Sequence, residues 1–170
     1  MTVEKWCIMV VSGELWVIRN LKLITLLMLI GEYSHNLDEK GRLAVPKKFR
    51  GDLSKGAVVT RGLDNCLFLY TKKEWIKLAE KLANLPFAPA NTRAFARLML
   101  AGAMDVDMDG QGRIMLPEYL RTFAGLKKNA IVAGLYNRLE IWDQETWDGY
   151  KQKTEKESTQ IAEQMADLGV

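Results

Sequence analysis

The stretch DEKGRLAVPKKFR, residues 38–50, has a second, similar copy in this chain of 170 residues. Its second version, DGQGRIMLPEYLR, covers residues 109–121. Both contain Asp-x-x-Gly-Arg, then Leu or Ile, then Pro, and both end on Arg at the same spacing. The similarity continues from GAVVTRGLDNCLFLYTKKEW (56–75) into NAIVAGLYNRLEIWDQETW (129–147) once one residue is skipped. A repeat of this length indicates a tandem duplication of one supersecondary unit.

The residue types of the motif are those that form turns and helix starts. Asp accepts hydrogen bonds from its own downstream backbone, and Gly tolerates the positive φ of a tight turn. Pro suits the first position of a helix. A structural role is therefore predicted for the members of both copies, which are Asp38, Gly41 and Pro46, and Asp109, Gly112 and Pro117.

Each unit is predicted to contain a short entering strand, the turn, a second strand, a helical turn and two further β-rich runs joined by a Gly/Asn turn. An amphipathic helix closes the unit, and the apolar face of the first such helix is assigned to Ile76, Leu78, Ala79, Leu82 and Leu85. One unit has too few strands to bury a face by itself. Two units are therefore predicted to complete one small barrel-like core about a pseudo-twofold axis, in an α+β fold.

The predicted organisation follows from the repeat and from the linker PFAPA at 86–90. Its segments are an extension at 1–27, a first unit at 28–85, a linker with a short helix at 86–103, and a second unit with an acidic helix at 104–170.

The net charge of +3 is unevenly distributed. Residues 28–142 carry 18 Lys or Arg and 12 Asp or Glu, a net charge of +6, whereas residues 143–170 carry 3 Lys and 7 acids, a net charge of −4. A basic body with an acidic tail indicates a polyanionic partner for the body.

Arg42 and Arg113 follow the turn at the same place in both copies. A guanidinium offers a planar fork that suits phosphate or guanine, which a lysine does not. The structural alternative is an ion pair with Asp38 or Asp109. An arginine can both form this ion pair and bind phosphate or guanine. More basic residues surround the first turn, so we expect it to contribute more electrostatic affinity; the candidate DNA-binding residues are Lys40, Arg42, Lys47, Lys48 and Arg113.

The sequence gives little support for a calcium-binding protein, an enzyme or a membrane protein. DVDMDGQG (105–112) is similar to a calcium loop, but its twelfth position is Leu116 rather than Glu, so no metal or cofactor is predicted. His35 is the single histidine and no nucleophile motif lies near it, so an enzyme is not expected. Cys7 and Cys66 are interpreted as reduced thiols. The apolar run 23–30 is too short to span a bilayer.

GEYSHNLDEKGRLAVPKKFR and DMDGQGRIMLPEYLR resemble the two signature D-x-x-x-R segments of the MraZ family, and the resemblance covers about residues 28–170. It implies a duplicated swapped-hairpin fold of the AbrB type and a cytoplasmic, nucleoid-associated ring of identical subunits. It also implies a transcriptional regulator of the division and cell-wall gene cluster, which binds tandem TGGG-type repeats in double-stranded DNA upstream of its own gene. By position, Lys40 and Arg42 fall where the family contacts DNA.

Two alternatives remain open. The first is an AbrB-like antitoxin, although such proteins are usually half this length and carry a disordered toxin-binding tail. The second is a ring scaffold that binds protein. A steep loss of binding with salt favours DNA over the scaffold, because phosphate contacts release counterions.

Residues 1–27 precede the resemblance and show no helix or strand pattern. Their codons can carry TGGG-type repeats. Trp16 followed by Val17 necessarily contains TGGG, and Ser12 followed by Gly13 contains TGG ten nucleotides earlier if Ser12 is encoded AGT. We therefore hypothesise that this extension is the operator translated as protein from a misassigned start.

Overall fold

A computed structural model describes residues 28–165 and, before them, the backbone at 7–11 and 14–18. The two early segments are strands β1, Cys7–Val11, and β2, Glu14–Ile18, which pair antiparallel. The structure therefore contains two strands within residues 1–27, where the sequence showed no helix or strand pattern. Both segments are rich in β-branched residues, and Ser-Gly between them is a turn signal. The hypothesis of a misassigned start stays a prediction.

The described part of the chain from residue 28 is a mixed α+β structure, as predicted. The first half contains β3 (Leu29–Asn36), β4 (Arg42–Ala44), a 3₁₀ turn (Lys47–Phe49), α1 (Arg50–Leu53), β5 (Ala57–Arg61), β6 (Leu67–Thr71) and α2 (Lys72–Ala83). The second half contains α3 (Ala90–Ala96), a π turn (Arg97–Ala101), β7 (Met104–Val106), β8 (Arg113–Met115), α4 (Glu118–Phe123), β9 (Asn129–Tyr136), β10 (Leu139–Asp143) and α5 (Gln144–Met165).

The strands of the two halves are interleaved in one antiparallel sheet. Its order is β3-β9-β10-β6-β5-β7, so β3 of the first half pairs with β9 of the second, and β7 of the second half pairs with β5 of the first. The remaining strands, β4 and β8, pair with each other. Phe68 lies opposite Glu140, and Leu43 lies opposite Ile114. Each of these pairs joins equivalent positions of the repeat, so the strand order and both registers are unchanged when the halves are exchanged.

The six-stranded sheet is open, with β3 and β7 at its edges, so a closed barrel is not confirmed. The β4–β8 ribbon lies between these edges and is joined to each side by one isolated bridge, Leu37 to Leu43 and Met108 to Ile114. Strands of three residues offer too few backbone groups to pair fully both with each other and with the sheet edges.

Two apolar clusters hold the fold together. The larger joins the inner face of the sheet to the ribbon and to α1 and α4, and it includes Leu43, Ile114, Phe49 and Leu120. The smaller contains Phe68, Tyr70 and Trp142 with side chains from α2 and α5. Each half therefore supplies strands and helices to a core that neither half completes alone.

The apolar face of α2 differs from the predicted one. Ile76 is 56% exposed and Leu85 is 40% exposed, so both are wrong as core residues. The helix instead packs through Trp75, whose ring lies 5.9 Å from that of Tyr70, and through Leu82, which is buried. The large aromatic ring sets the rotation of the helix on the sheet, and Ile76 at the next position then points away.

The structure also bears on metal binding, on the Cys66 thiol and on whether a helix could cross a membrane. Among the described residues, no three His, Cys, Asp or Glu side chains lie close enough together to hold a metal ion. The Cys66 thiol is free and buried, it donates to the Leu63 carbonyl at 3.1 Å, and burial raises its pKa. The side chain of Cys7 lies outside the described residues. The described helices include none with the length and apolar character needed to cross a membrane.

Candidate nucleic-acid interface

The first turn of the motif is built around the Asp38 carboxylate. Its Oδ1 accepts the backbone N–H groups of Lys40 and Arg42 at 3.0 and 2.9 Å, and its Oδ2 accepts Nε–H of Arg42 at 2.6 Å. The Gly41 N–H donates to the Asp38 carbonyl at 2.9 Å, with Gly41 at a φ of +76°. The backbone N–H of Arg42, followed by its side chain, lowers the pKa of Asp38. The carboxylate thus joins the turn and the arginine into one unit.

The second turn repeats this arrangement around Asp109. Oδ1 accepts the backbone N–H groups of Gln111 and Arg113, both at 2.9 Å, and Oδ2 accepts Nε–H and Nη2–H of Arg113 at 2.9 and 2.7 Å. The hydrogen bonds from the Arg113 side chain, and then those from the backbone, lower the pKa of Asp109 to about 2. Both oxygens of the apparent calcium ligand Asp109 are therefore already occupied by N–H donors.

The β4–β8 ribbon brings the two arginines onto one face. Arg42 lies opposite Met115, and Arg113 lies opposite Ala44. Side chains alternate along a strand, so these four share the outward face while the residues between them point into the core. Across this face Nη1 of Arg113 lies 3.9 Å from Oδ2 of Asp38. The interleaved fold thus places two arginines and two aspartates in a compact array.

The two arginines are not used equally. Arg42 gives only its Nε–H to Asp38, and its terminal amino groups have no hydrogen-bond partner in the described part of the chain. Arg113 gives Nε–H and Nη2–H to Asp109, and its Nη1 faces Asp38. Arg42 therefore keeps both terminal amino groups available for a ligand, whereas Arg113 has already committed two of its five N–H donors to Asp109.

The three candidate lysines lie at different distances from this face. Lys40 is exposed at the tip of the first turn, and Lys47 is exposed just after Pro46. Lys48 instead directs Nζ to the Ile30 carbonyl at 3.4 Å. Strand β3 separates Ile30 from the first turn, a distance of about 20–25 Å at the usual rise per residue. Lys40 thus belongs to the turn surface, and Lys48 lies apart from it.

The last residue of each motif, Arg50 or Arg121, has a role that was not predicted from the sequence. Nε–H of Arg50 donates to the Val45 carbonyl at 2.9 Å, and Nε–H of Arg121 donates to that of Leu116 at 3.0 Å. The guanidinium of Arg121 lies against Gly41, where a Cβ would stand 2.7 Å from its Nε. By the same arrangement the guanidinium of Arg50 occupies the space that a Cβ on Gly112 would need.

Each terminal arginine therefore covers the turn of the other half. The identical final Arg in both copies was the available signal, but its partner lies in the other copy. The positive charge near the second turn comes partly from Arg50, which belongs to the first motif.

We expect Gly112→Ala to lower the free energy of unfolding by about 1–3 kcal/mol, because it adds a side chain at a φ of +78° and displaces the Arg50 guanidinium. Gly110→Ala is the matched control, since a Cβ there meets no atom within 4 Å. Urea unfolding of both variants checks the prediction. Equal stability of the two would contradict the close contact with Arg50.

The chain from residue 28 to residue 169 is similar to known proteins. A family model described as "MraZ protein, putative antitoxin-like" matches residues 28–98 and 99–169. A relative from Natranaerobius thermophilus, named "Transcriptional regulator MraZ", is 48% identical over 143 residues, which is 84% of this chain and 100% of the relative. Relatives of the same name come from Halothermothrix orenii, with 46% identity over 143 residues and the same shares, and from Desulforamulus reducens, with 48% identity over 141 residues, 83% of this chain and 99% of the relative.

Proposed function

The chain belongs to the MraZ family, and on that premise we propose that it regulates transcription by binding double-stranded DNA. The proposed contact surface is the outward face of the β4–β8 ribbon with its two turns. The names of the relatives support the regulatory role. The observation that carries the proposed surface is the pair of aspartate-held arginines on one face of the ribbon.

Arg42 is the proposed base-contacting residue. Asp38 holds its Nε, so the side chain is already oriented and loses little conformational freedom on binding. Its terminal amino groups can donate to O6 and N7 of a guanine, a contact worth roughly 1–3 kcal/mol. Lys40 and Lys47 supply exposed charge for phosphates, and Arg113 supports the second turn. Lys48 is proposed to add only long-range attraction, because its Nζ lies near Ile30.

A single ribbon is small, so tight binding requires several ribbons on one duplex. We propose a ring of identical subunits that binds tandem TGGG-type repeats upstream of its own gene, at the head of the division and cell-wall cluster. Several modest contacts then act together. Repeats about one helical turn apart would face the ring from the same side of the DNA. The site of action would be the chromosome in the cytoplasm.

The topology behind this surface is proposed to be a duplicated swapped hairpin, with units at 28–85 and 104–170. The pairing of β3 with β9 and of β5 with β7 supports this, because each half gives its first strand to the other. One chain would thereby present both turns that two half-length chains would otherwise have to bring together.

The experiment is a salt-series anisotropy titration of the full chain with two duplexes. One carries three TGGG repeats at ten-base spacing, and in the other two of the repeats are shifted by five bases. We expect tighter binding to the aligned duplex and a linear fall of log K with log salt. Equal, weak binding to both duplexes would contradict the proposed mechanism.

The words "antitoxin-like" in the family description favour a second candidate, an antitoxin that binds a partner protein. Capture of one defined protein that does not weaken with salt would favour this candidate or the ring scaffold. The acidic helix α5, which buries no residue fully, would then be the first surface to test.

A further inference from the structure

Arg50 and Arg121 end the two copies of the motif, and each lies against the turn glycine of the opposite half. We propose that their guanidinium groups are two further phosphate-binding positions, Arg50 serving the second turn and Arg121 the first. This inference rests on the proposed DNA-binding function and adds residues that belong to neither the ribbon face nor the lysine set.

Both side chains are oriented before any ligand arrives. The Nε–H of each donates to a backbone carbonyl of its own half, that of Val45 for Arg50 and that of Leu116 for Arg121. Both carbonyls belong to the residue that precedes the motif proline. The contact with the opposite glycine restrains the plane of the guanidinium from the side. A group restrained in this way loses little conformational entropy when it binds an anion.

The terminal amino groups remain available. In the described residues, Nη1 and Nη2 of Arg50 and Arg121 make no hydrogen bond and no ion pair. In the described part of the chain, the buried polar side-chain atoms without a hydrogen-bond partner are His35 Nε2 and Trp147 Nε1. The terminal amino groups of the two arginines are not among them. A restrained guanidinium with accessible Nη–H groups suits phosphate, which accepts two parallel N–H donors.

The charges around the second turn support this contribution. Arg113 is largely neutralised by Asp109, and Gln111 stands where the first turn has Lys40. The accessible positive charge closest to Gly112 is therefore that of Arg50. With it, both turns present a cation beside the tip, and a duplex can lie across the ribbon with a phosphate at either end.

The test measures the salt dependence of binding by the full chain to the duplex with three aligned TGGG repeats. Arg50→Met and Arg121→Met keep the apolar stem and remove the guanidinium. Each is expected to weaken binding by about tenfold, as loss of a charged hydrogen bond does, and to reduce the slope of log K against log salt by about 0.9 for each phosphate that is no longer neutralised. Arg50→Lys should retain the slope with weaker affinity, because it keeps the charge without the fork.

Arg93→Met is the matched control, because Arg93 on α3 also donates to backbone carbonyls, those of Phe87 and Ala88, yet lies outside both turns. It should leave affinity and slope unchanged apart from the small effect of net charge. A weakened Arg50→Met with an unchanged slope would overturn the proposal and assign the arginine a structural role. An Arg50→Met variant that binds like the parent would overturn it as well.

A second measurement separates this inference from the proposed function. The Nε–Hε resonances of Arg50, Arg121 and Arg93 are followed while inorganic phosphate is added to the full chain. Shifts of the first two but not of Arg93 support the phosphate positions. If these shifts occur while no duplex binds, the proposed function fails and the phosphate positions stand. If the duplex binds and neither resonance moves with phosphate, the phosphate positions are wrong and the function stands.

Discussion

Arg42→Ala is expected to weaken binding to the aligned duplex by about 100-fold or more while leaving the chain folded and the proposed ring intact. One bidentate arginine–guanine contact is worth roughly 1–3 kcal/mol, and the loss is repeated at every ribbon that contacts the same duplex. The stability cost is expected to be small, because the Arg42–Asp38 pair is partly exposed, at 29% and 34%, and solvent screens such pairs. Anisotropy titration and circular dichroism measure the two effects.

Two variants make the Arg42 result interpretable. Arg113→Ala should cost less affinity, because Asp109 already occupies two of its donors. Lys48→Ala should change affinity only a few-fold, because its Nζ lies at Ile30 rather than at the turn. A larger loss for Arg113→Ala than for Arg42→Ala would reverse the ranking of the two halves. An unchanged affinity for Arg42→Ala would remove the ribbon from the DNA interface.

Phe49→Ala is expected to produce the largest loss of stability, about 3–5 kcal/mol, as truncation of a buried aromatic residue usually does. Phe49 is 1% exposed, and its ring meets that of Tyr33 edge to face at 5.4 Å. It lies in the large core that joins the ribbon to the sheet. Urea unfolding of the variant gives the change in free energy.

Phe87→Ala supplies the control for this measurement. Phe87 is 82% exposed in the linker, so its truncation removes little buried surface and should change stability by less than about 0.5 kcal/mol. Similar losses for the two variants would mean that Phe49 does not anchor the ribbon to the core. A stable Phe49→Ala variant that no longer binds DNA would assign this residue to the interface instead.

The repeat predicted much of the fold because its signals are local. Proline positions, β-rich runs and closing amphipathic helices act within a few residues, and the structure has strands and helices where these signals stand. The errors occur where long-range packing decides. Ile76 matched the helical period, but the Trp75–Tyr70 contact turned the helix so that Ile76 is exposed. The paired strands at 7–11 and 14–18 lie outside the repeat, so no second copy revealed them.

The candidate site likewise combines local contacts, which the sequence predicts, with long-range contacts, which it does not. The sequence by itself determined the two turns, because Asp38 and Asp109 satisfy backbone and arginine donors no more than four residues away. Only the tertiary structure decided that β4 pairs with β8, and hence that both arginines share one face. It also decided that Arg50 covers Gly112 and Arg121 covers Gly41. The physical reason is that these contacts join residues about 60 to 80 positions apart, which only the interleaved strand pairing brings together.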